Sequence, residues 1–170
     1  MGVLRYGMIV SALCMAAMPA LSQVKLEKLK DGERKITFES ESMEQKGELF
    51  DAFALARFRK GEEPKSVTFL VMRSSLFLGG PSERWPWRQC PAGRLLADGV
   101  ELPTDEPLPP VFKLSGDYKR ATYFVSVTPA NFEKAALAGE VGIDVCGDTV
   151  TLPARFQLDM RKAIDLYRLR

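Results

Sequence analysis

Alternation with a period of two dominates the second half of the chain. Ala121, Tyr123, Val125 and Val127 fall on one side of a pleat, and Thr122, Phe124 and Ser126 on the other, which predicts a strand with one mostly apolar face. Thr128 follows as a helix N-cap, Pro129 takes the first helical position, where no N–H is needed, and Val127 can touch Phe132 across the cap. Gly139 is placed to close this short helix in a left-handed conformation. Val141, Ile143 and Val145 then alternate with Gly142, Asp144 and Cys146, and Gly147 with Asp148 suits a type II′ turn, so Glu140 to Leu152 reads as a hairpin. Beyond it the signal divides: Val150, Leu152, Ala154, Phe156 and Leu158 keep a period of two, while Phe156, Met160, Ala163, Ile164 and Tyr167 also fit one helical face. The helix is read from Met160 onward, capped by Asp159, with Ala154 to Leu158 as an extended lead-in.

The same reasoning organises the first half. Val24 and Leu26 precede Asp31-Gly32, and Ile36 and Phe38 follow it, which signals a hairpin. Glu39 to Glu48 reads as a polar connector. From Leu49 to Phe58, Ala52, Ala54, Ala56 and Phe58 lie on one side and Phe53 and Leu55 on the other; a strand apolar on both faces is expected at the centre of a sheet. Val67, Phe69 and Val71 alternate with Thr68, Leu70 and Met72, and this strand should pair with its predecessor. Ser74 to Gly93 carries no sustained period and reads as an irregular excursion. Arg94 to Ala97, Asp98-Gly99 and Val100 to Leu102 form a compact hairpin signal, after which Pro103, Pro107, Pro109 and Pro110 impose a stiff connection to a short strand at Val111 to Leu114.

Seven or eight strands against two helices predict a mainly antiparallel, β-rich α+β domain with a short internal helix and a C-terminal helix packed on the sheet; a β-sandwich is the alternative. Residues 1–22 stand apart from this domain. Met8 to Met18 is an apolar run preceded by Arg5, and Ala20 and Ser22 occupy the −3 and −1 positions of a cleavage site before Gln23. That pattern resembles a bacterial secretory signal peptide, with an uncleaved anchor as the rival reading, and the run is shorter than the roughly 20 residues a membrane span needs. Removing 22 residues from 170 leaves 148, enough for a single domain over residues 23–170 and for export to the periplasm or beyond, with no membrane span in the mature chain.

Charge adds little to this picture. The full chain carries 24 cations and 22 anions, a balance that recommends neither nucleic acid nor an anionic membrane as partner. Export changes the meaning of the cysteines, because Cys90 and Cys146 are the pair left after the leader and an oxidising compartment lets such a pair persist as a disulfide; two unpaired buried thiols are the alternative. Closing a loop of that length stabilises a fold by up to about 4 kcal/mol in the chain-entropy description.

The chain has no histidine, which removes the usual general base, the usual partner of a serine or cysteine nucleophile and the commonest zinc ligand. No phosphate loop, nucleophile elbow or metal-spaced cysteine set is present, so no cofactor or metal is implied. Asp144 and Asp148 flank one tight turn and read as solvated turn residues. The segment Arg84-Trp85-Pro86-Trp87-Arg88 is the one place where residues look chosen for contact. Pro86 favours an extended backbone at Trp85, so Trp85 and Trp87 share one side, and Arg84 and Arg88 the other, in residue types enriched at binding hot spots. The competing reading of both tryptophans is a lid on the core beside the disulfide.

These features point to a non-enzymatic binding or accessory protein of the cell envelope that recognises an envelope protein or a glycan. A hydrolase using acidic residues or a Ser/Lys pair is the rival from another class. Expressed with its leader in a bacterium, the protein should appear in the periplasm with a mass that starts at Gln23 and take up two alkyl groups only after reduction. A full-length, freely alkylated cytosolic species would contradict both export and the bridge.

Overall fold

The computed structural model describes residues 24–40, 42–76, 93–105, 108–115 and 118–168. The expected α+β architecture is present: mostly antiparallel strands, one short internal helix and one C-terminal helix. Strands β1 (Lys25–Lys28), β2 (Glu33–Glu39), β3 (Met43–Gln45), β4 (Glu48–Arg59), β5 (Val67–Leu76), β8 (Val111–Ser115) and β9 (Tyr118–Val127) form a seven-stranded sheet. Its order is β1-β2-β4-β5-β9-β8, with β3 hydrogen-bonded to one end of β4. A second sheet of four strands runs β11 (Asp148–Thr151), β10 (Val141–Val145), β6 (Arg94–Ala97), β7 (Val100–Glu101).

Period two decides which side chains the large sheet buries. Ile36 and Phe38 of β2, Ala52, Ala54 and Ala56 of β4, Val67, Phe69 and Val71 of β5, and Ala121, Tyr123, Val125 and Val127 of β9 all point inward and are buried. Helix α1 (Pro129–Leu137) adds Phe132, Ala135 and Ala136 to the same core, and helix α2 (Ala154–Arg168) adds Phe156, Met160, Ala163 and Tyr167. The small sheet contributes Leu95, Val141, Ile143, Val145 and Val150. Phe38 and Phe69 of the sheet meet Phe132 and Phe156 of the helices with ring centroids 4.9 to 6.4 Å apart, in tilted geometries that suit aromatic quadrupoles. The helices therefore supply core, which distinguishes the fold from a sandwich with decorative helices.

Thr128 caps α1 as expected, its hydroxyl accepting from the Asn131 amide at 3.3 Å, with Pro129 inside the first turn. The other end differs from expectation. Ala138 is extended at φ −63° and ψ 158°, and Gly139 is not left-handed. The Arg161 Nε of α2 donates to the Ala136 carbonyl at 2.7 Å, so a side chain from the neighbouring helix satisfies part of the C-terminus that a glycine cap would otherwise have served. Tyr167 Oη donates to Glu133 at 3.1 Å and Arg168 pairs with the same carboxylate, which ties the two helices at a second point.

Three further expectations are corrected. Helix α2 begins at Ala154, not Met160, and Asp159 lies inside it with 1% exposure rather than at a cap. The helical spacing of Phe156, Met160, Ala163 and Tyr167 prevails over the period of two because all four side chains reach the core. The polar connector Glu39 to Glu48 contains β3, which turns through Lys46-Gly47 into β4. In the β10–β11 hairpin the register pairs Val145 with Asp148, so the two central residues are Cys146 and Gly147. Both have positive φ, 62° and 82°, which makes the turn type I′ instead of II′.

No described helix is long and apolar enough to cross a membrane.

Candidate functional site

Arg84, Trp85, Trp87, Arg88 and Cys90 lie outside the described residues. Cys146, the other half of the expected bridge, stands at the first central position of the β10–β11 turn and packs half-buried against the core. Its Sγ is 3.1 Å from Tyr123 Oη. Burial pushes the Tyr123 hydroxyl up to about 12, with Arg73 pulling against the rise and Glu48 adding to it. The phenol therefore stays protonated and can donate to the sulfur.

Below Tyr123 is a group of ions that the residue pattern did not announce as a site. Arg73 continues the inward phase of Val67, Phe69 and Val71 on β5, so period two carries a guanidinium to 7% exposure. A cation buried there requires anions. Glu48, at the start of β4, takes both Arg73 Nε and Nη2 at 2.5 Å, and Asp148 of β11 takes Nη2 at 3.0 Å. Arg73 also sits 5.5 Å over the Phe50 ring. Lys46 on the β3–β4 turn closes on the other Asp148 oxygen at 2.5 Å, and Gln45 Nε2 donates to the Thr149 carbonyl at 3.2 Å. The end of one hairpin is thereby joined to the end of another across the two sheets.

Asp144 and Asp148 are accordingly not solvated turn residues. Asp148 keeps 20% side-chain exposure and Asp144 13%. Asp144 accepts from the Gly147 amide at 3.2 Å and pairs with Arg94 at 3.3 Å, which raises the Arg94 pKa. The Lys46 hydrogen bond, with Arg73 assisting, holds the Asp148 carboxyl below the usual carboxylate range. A carboxylate so held remains ionised and is unsuited to donate a proton as a general acid. Among the described residues no group of three Asp, Glu or Cys side chains is arranged to hold a metal ion.

The opposite face of the seven-stranded sheet is the second candidate. Register places Glu39, Phe53, Leu70 and Phe124 in one row across β2, β4, β5 and β9. Met72 lies in the next row between Asp51 and Thr122, with Val111 beyond Thr122. Phe53, Leu55, Leu70, Met72 and Phe124 are half-buried, Val111 is 44% exposed, and all six point away from the core. Both helices and the small sheet contribute to the core on the other side. An antiparallel sheet solvated on one side ordinarily shows polar residues there, so three neighbouring strands carrying Phe, Leu and Phe in register form an apolar face. A shallow groove of about 230 Å³ runs over it, lined by Lys25, Lys35, Thr37, Phe53, Leu55 and Leu70 among others.

The apolar outer positions are visible in the sequence as strands with two apolar faces, and β4 and β5 are central in the sheet as that pattern implies. Arg73 was detectable too, as the one cation in the inward phase of an apolar strand. Comparison with known protein families, curated proteins and solved structures returned no match.

Arg73→Ala leaves Glu48 and Asp148 without their shared cation and should destabilise the fold by about 3 kcal/mol in urea unfolding, the lower end for a broken buried pair because both carboxylates keep some water. Because the folded-state pKa of Asp148 is depressed, its contribution is fully present above the ordinary carboxylate value of about 4 and is lost as pH falls through the folded value. Tyr123 has the reverse sign for an acid raised to about 12: its stabilisation is present below about 10 and is lost as pH rises toward 12. Asp148→Asn should reduce the slope of the acid limb and Tyr123→Phe that of the alkaline limb, of which Tyr167, also raised by burial, keeps a share; unchanged limbs would contradict these assignments.

Proposed function

We propose that the protein is an exported, non-enzymatic binding or accessory protein of the bacterial cell envelope, and that it binds through the outer face of the seven-stranded sheet. The row Phe53, Leu70 and Phe124 is the observation that supports this reading. Core packing uses the other face, so these side chains contribute little to holding the helices or the small sheet in place. Their cost in water is offset when a partner covers them.

Export follows from the leader at residues 1–22 and carries the Cys90 to Cys146 bridge with it. The Tyr123 hydroxyl beside Cys146 Sγ is compatible with a disulfide sulfur, which can only accept. The segment Arg84 to Arg88 belongs to the same reading as a second contact surface. The ionised, multiply bonded state of Asp148 weighs against the rival hydrolase for that residue.

An uncharged apolar dye such as Nile red tests the surface directly. It should bind the folded mature protein saturably, and Leu70→Thr, which keeps a strand-favouring residue, should reduce the bound fluorescence severalfold without moving the melting temperature. Absence of dye binding, or equal binding by the variant, would remove the outer face from the account.

A further inference from the structure

The outer face of the seven-stranded sheet is graded along its strands. At one end Lys35 stands opposite Glu27 on β1 and Arg57 on β4, and Lys25 stands opposite Thr37 in the next row. Lys35 lies 3.4 Å from Glu27 in a partly exposed pair, and the charged side chains that line the groove are Lys25, Lys35 and Glu39. Moving along the strands, the row through Thr37, Leu55, Thr68 and Ser126 is mixed, and Thr68 and Ser126 satisfy each other at 2.8 Å. The following row is apolar from Phe53 to Phe124. The groove of about 230 Å³ spans this gradient, with Lys25, Lys35, Thr37 and Glu39 as well as Phe53, Leu55 and Leu70 in its lining.

We propose that this groove takes a single-chain anionic amphiphile, a free long-chain carboxylate, with its head at Lys25 and Lys35 and its chain laid across Leu55, Phe53 and Leu70; the proposal rests on the reading of this face as the binding surface. The two ammonium groups supply strongly hydrated point charges suited to a carboxylate at a wet rim. Glu39 sits at the β2 end of the apolar row and repels an anionic head placed there, which sets the direction of the chain. The side chains of Phe53, Leu55 and Leu70 offer no hydrogen-bonding groups, so that part of the lining suits an alkyl chain, while Lys25, Lys35, Thr37 and Glu39 make the rest of it polar. The groove is smaller than the roughly 300–1,000 Å³ of pockets for drug-sized ligands, which matches one chain.

The test uses the uniformly ¹⁵N-labelled mature protein, titrated with sodium decanoate below micelle formation, with decanol, and with vesicles of anionic phospholipid. Decanoate should give saturable amide shifts centred on Thr37, Phe53, Leu55 and Leu70. The double variant Lys25→Gln, Lys35→Gln should weaken decanoate about fivefold, as expected for exposed charge pairs, and leave decanol unchanged. Decanol binding as tightly as decanoate and insensitive to the lysines would overturn the anionic head while keeping the binding face. Shifts with vesicles alone would replace the single chain by a lipid surface, and concentration-dependent shifts of these residues without ligand would replace it by a second copy of the chain. If no probe shifts this face, both the amphiphile and the binding surface fall.

Discussion

The aromatic packing of Phe38 and Phe69 against Phe132 and Phe156 is the contact on which the rest of the architecture depends. It places both helices on one face of a seven-stranded sheet, and the small sheet completes the same core with Leu95, Ile143 and Val145. A buried side chain of this size contributes a few kcal/mol, and a cluster of four fixes the relative placement of β2, β5, α1 and α2. Among the described residues the sheet is covered on one side, which gives its two faces different chemistry. The inner face is set by packing, while Phe53, Leu70 and Phe124 on the outer face remain partly exposed among the described residues.

The ionic joint has a different character. Arg73 with Glu48 and Asp148, extended by Lys46, replaces apolar packing at the end of the core nearest the β10–β11 turn. Buried charges contribute less net stability than hydrophobic residues of similar volume, but they are costly to leave unmatched. The joint therefore fixes which hairpin end meets which, and sets Tyr123 beside Cys146. Here the sheet and the turn that carries the cysteine depend on one another.

Alternation made most of this fold legible. The inward phases of β4, β5 and β9, the Thr128 cap and the hairpins at Asp98-Gly99 and Asp31-Gly32 all followed from local residue chemistry. The failures occurred where a distant group changed a local preference. Arg161 serves the end of α1, so Gly139 has no left-handed role; core contacts of Phe156 extend α2 back to Ala154; and Asp148 meets Arg73 instead of water. Sequence spacing contains none of those distances. β4 and β5 are central in the sheet, as their two apolar faces implied, but a strand apolar on both sides looks the same whether one face of the sheet is covered or both are.

Carbene footprinting of the native mature protein by mass spectrometry tests that one-sided covering most directly. Phe53, Leu70 and Phe124 should be labelled in the folded state, while Phe69, Phe132 and Phe156 should be labelled only after unfolding. Equal protection of both sets would mean that the outer row is buried within the protein itself, and would contradict its role as a free binding face.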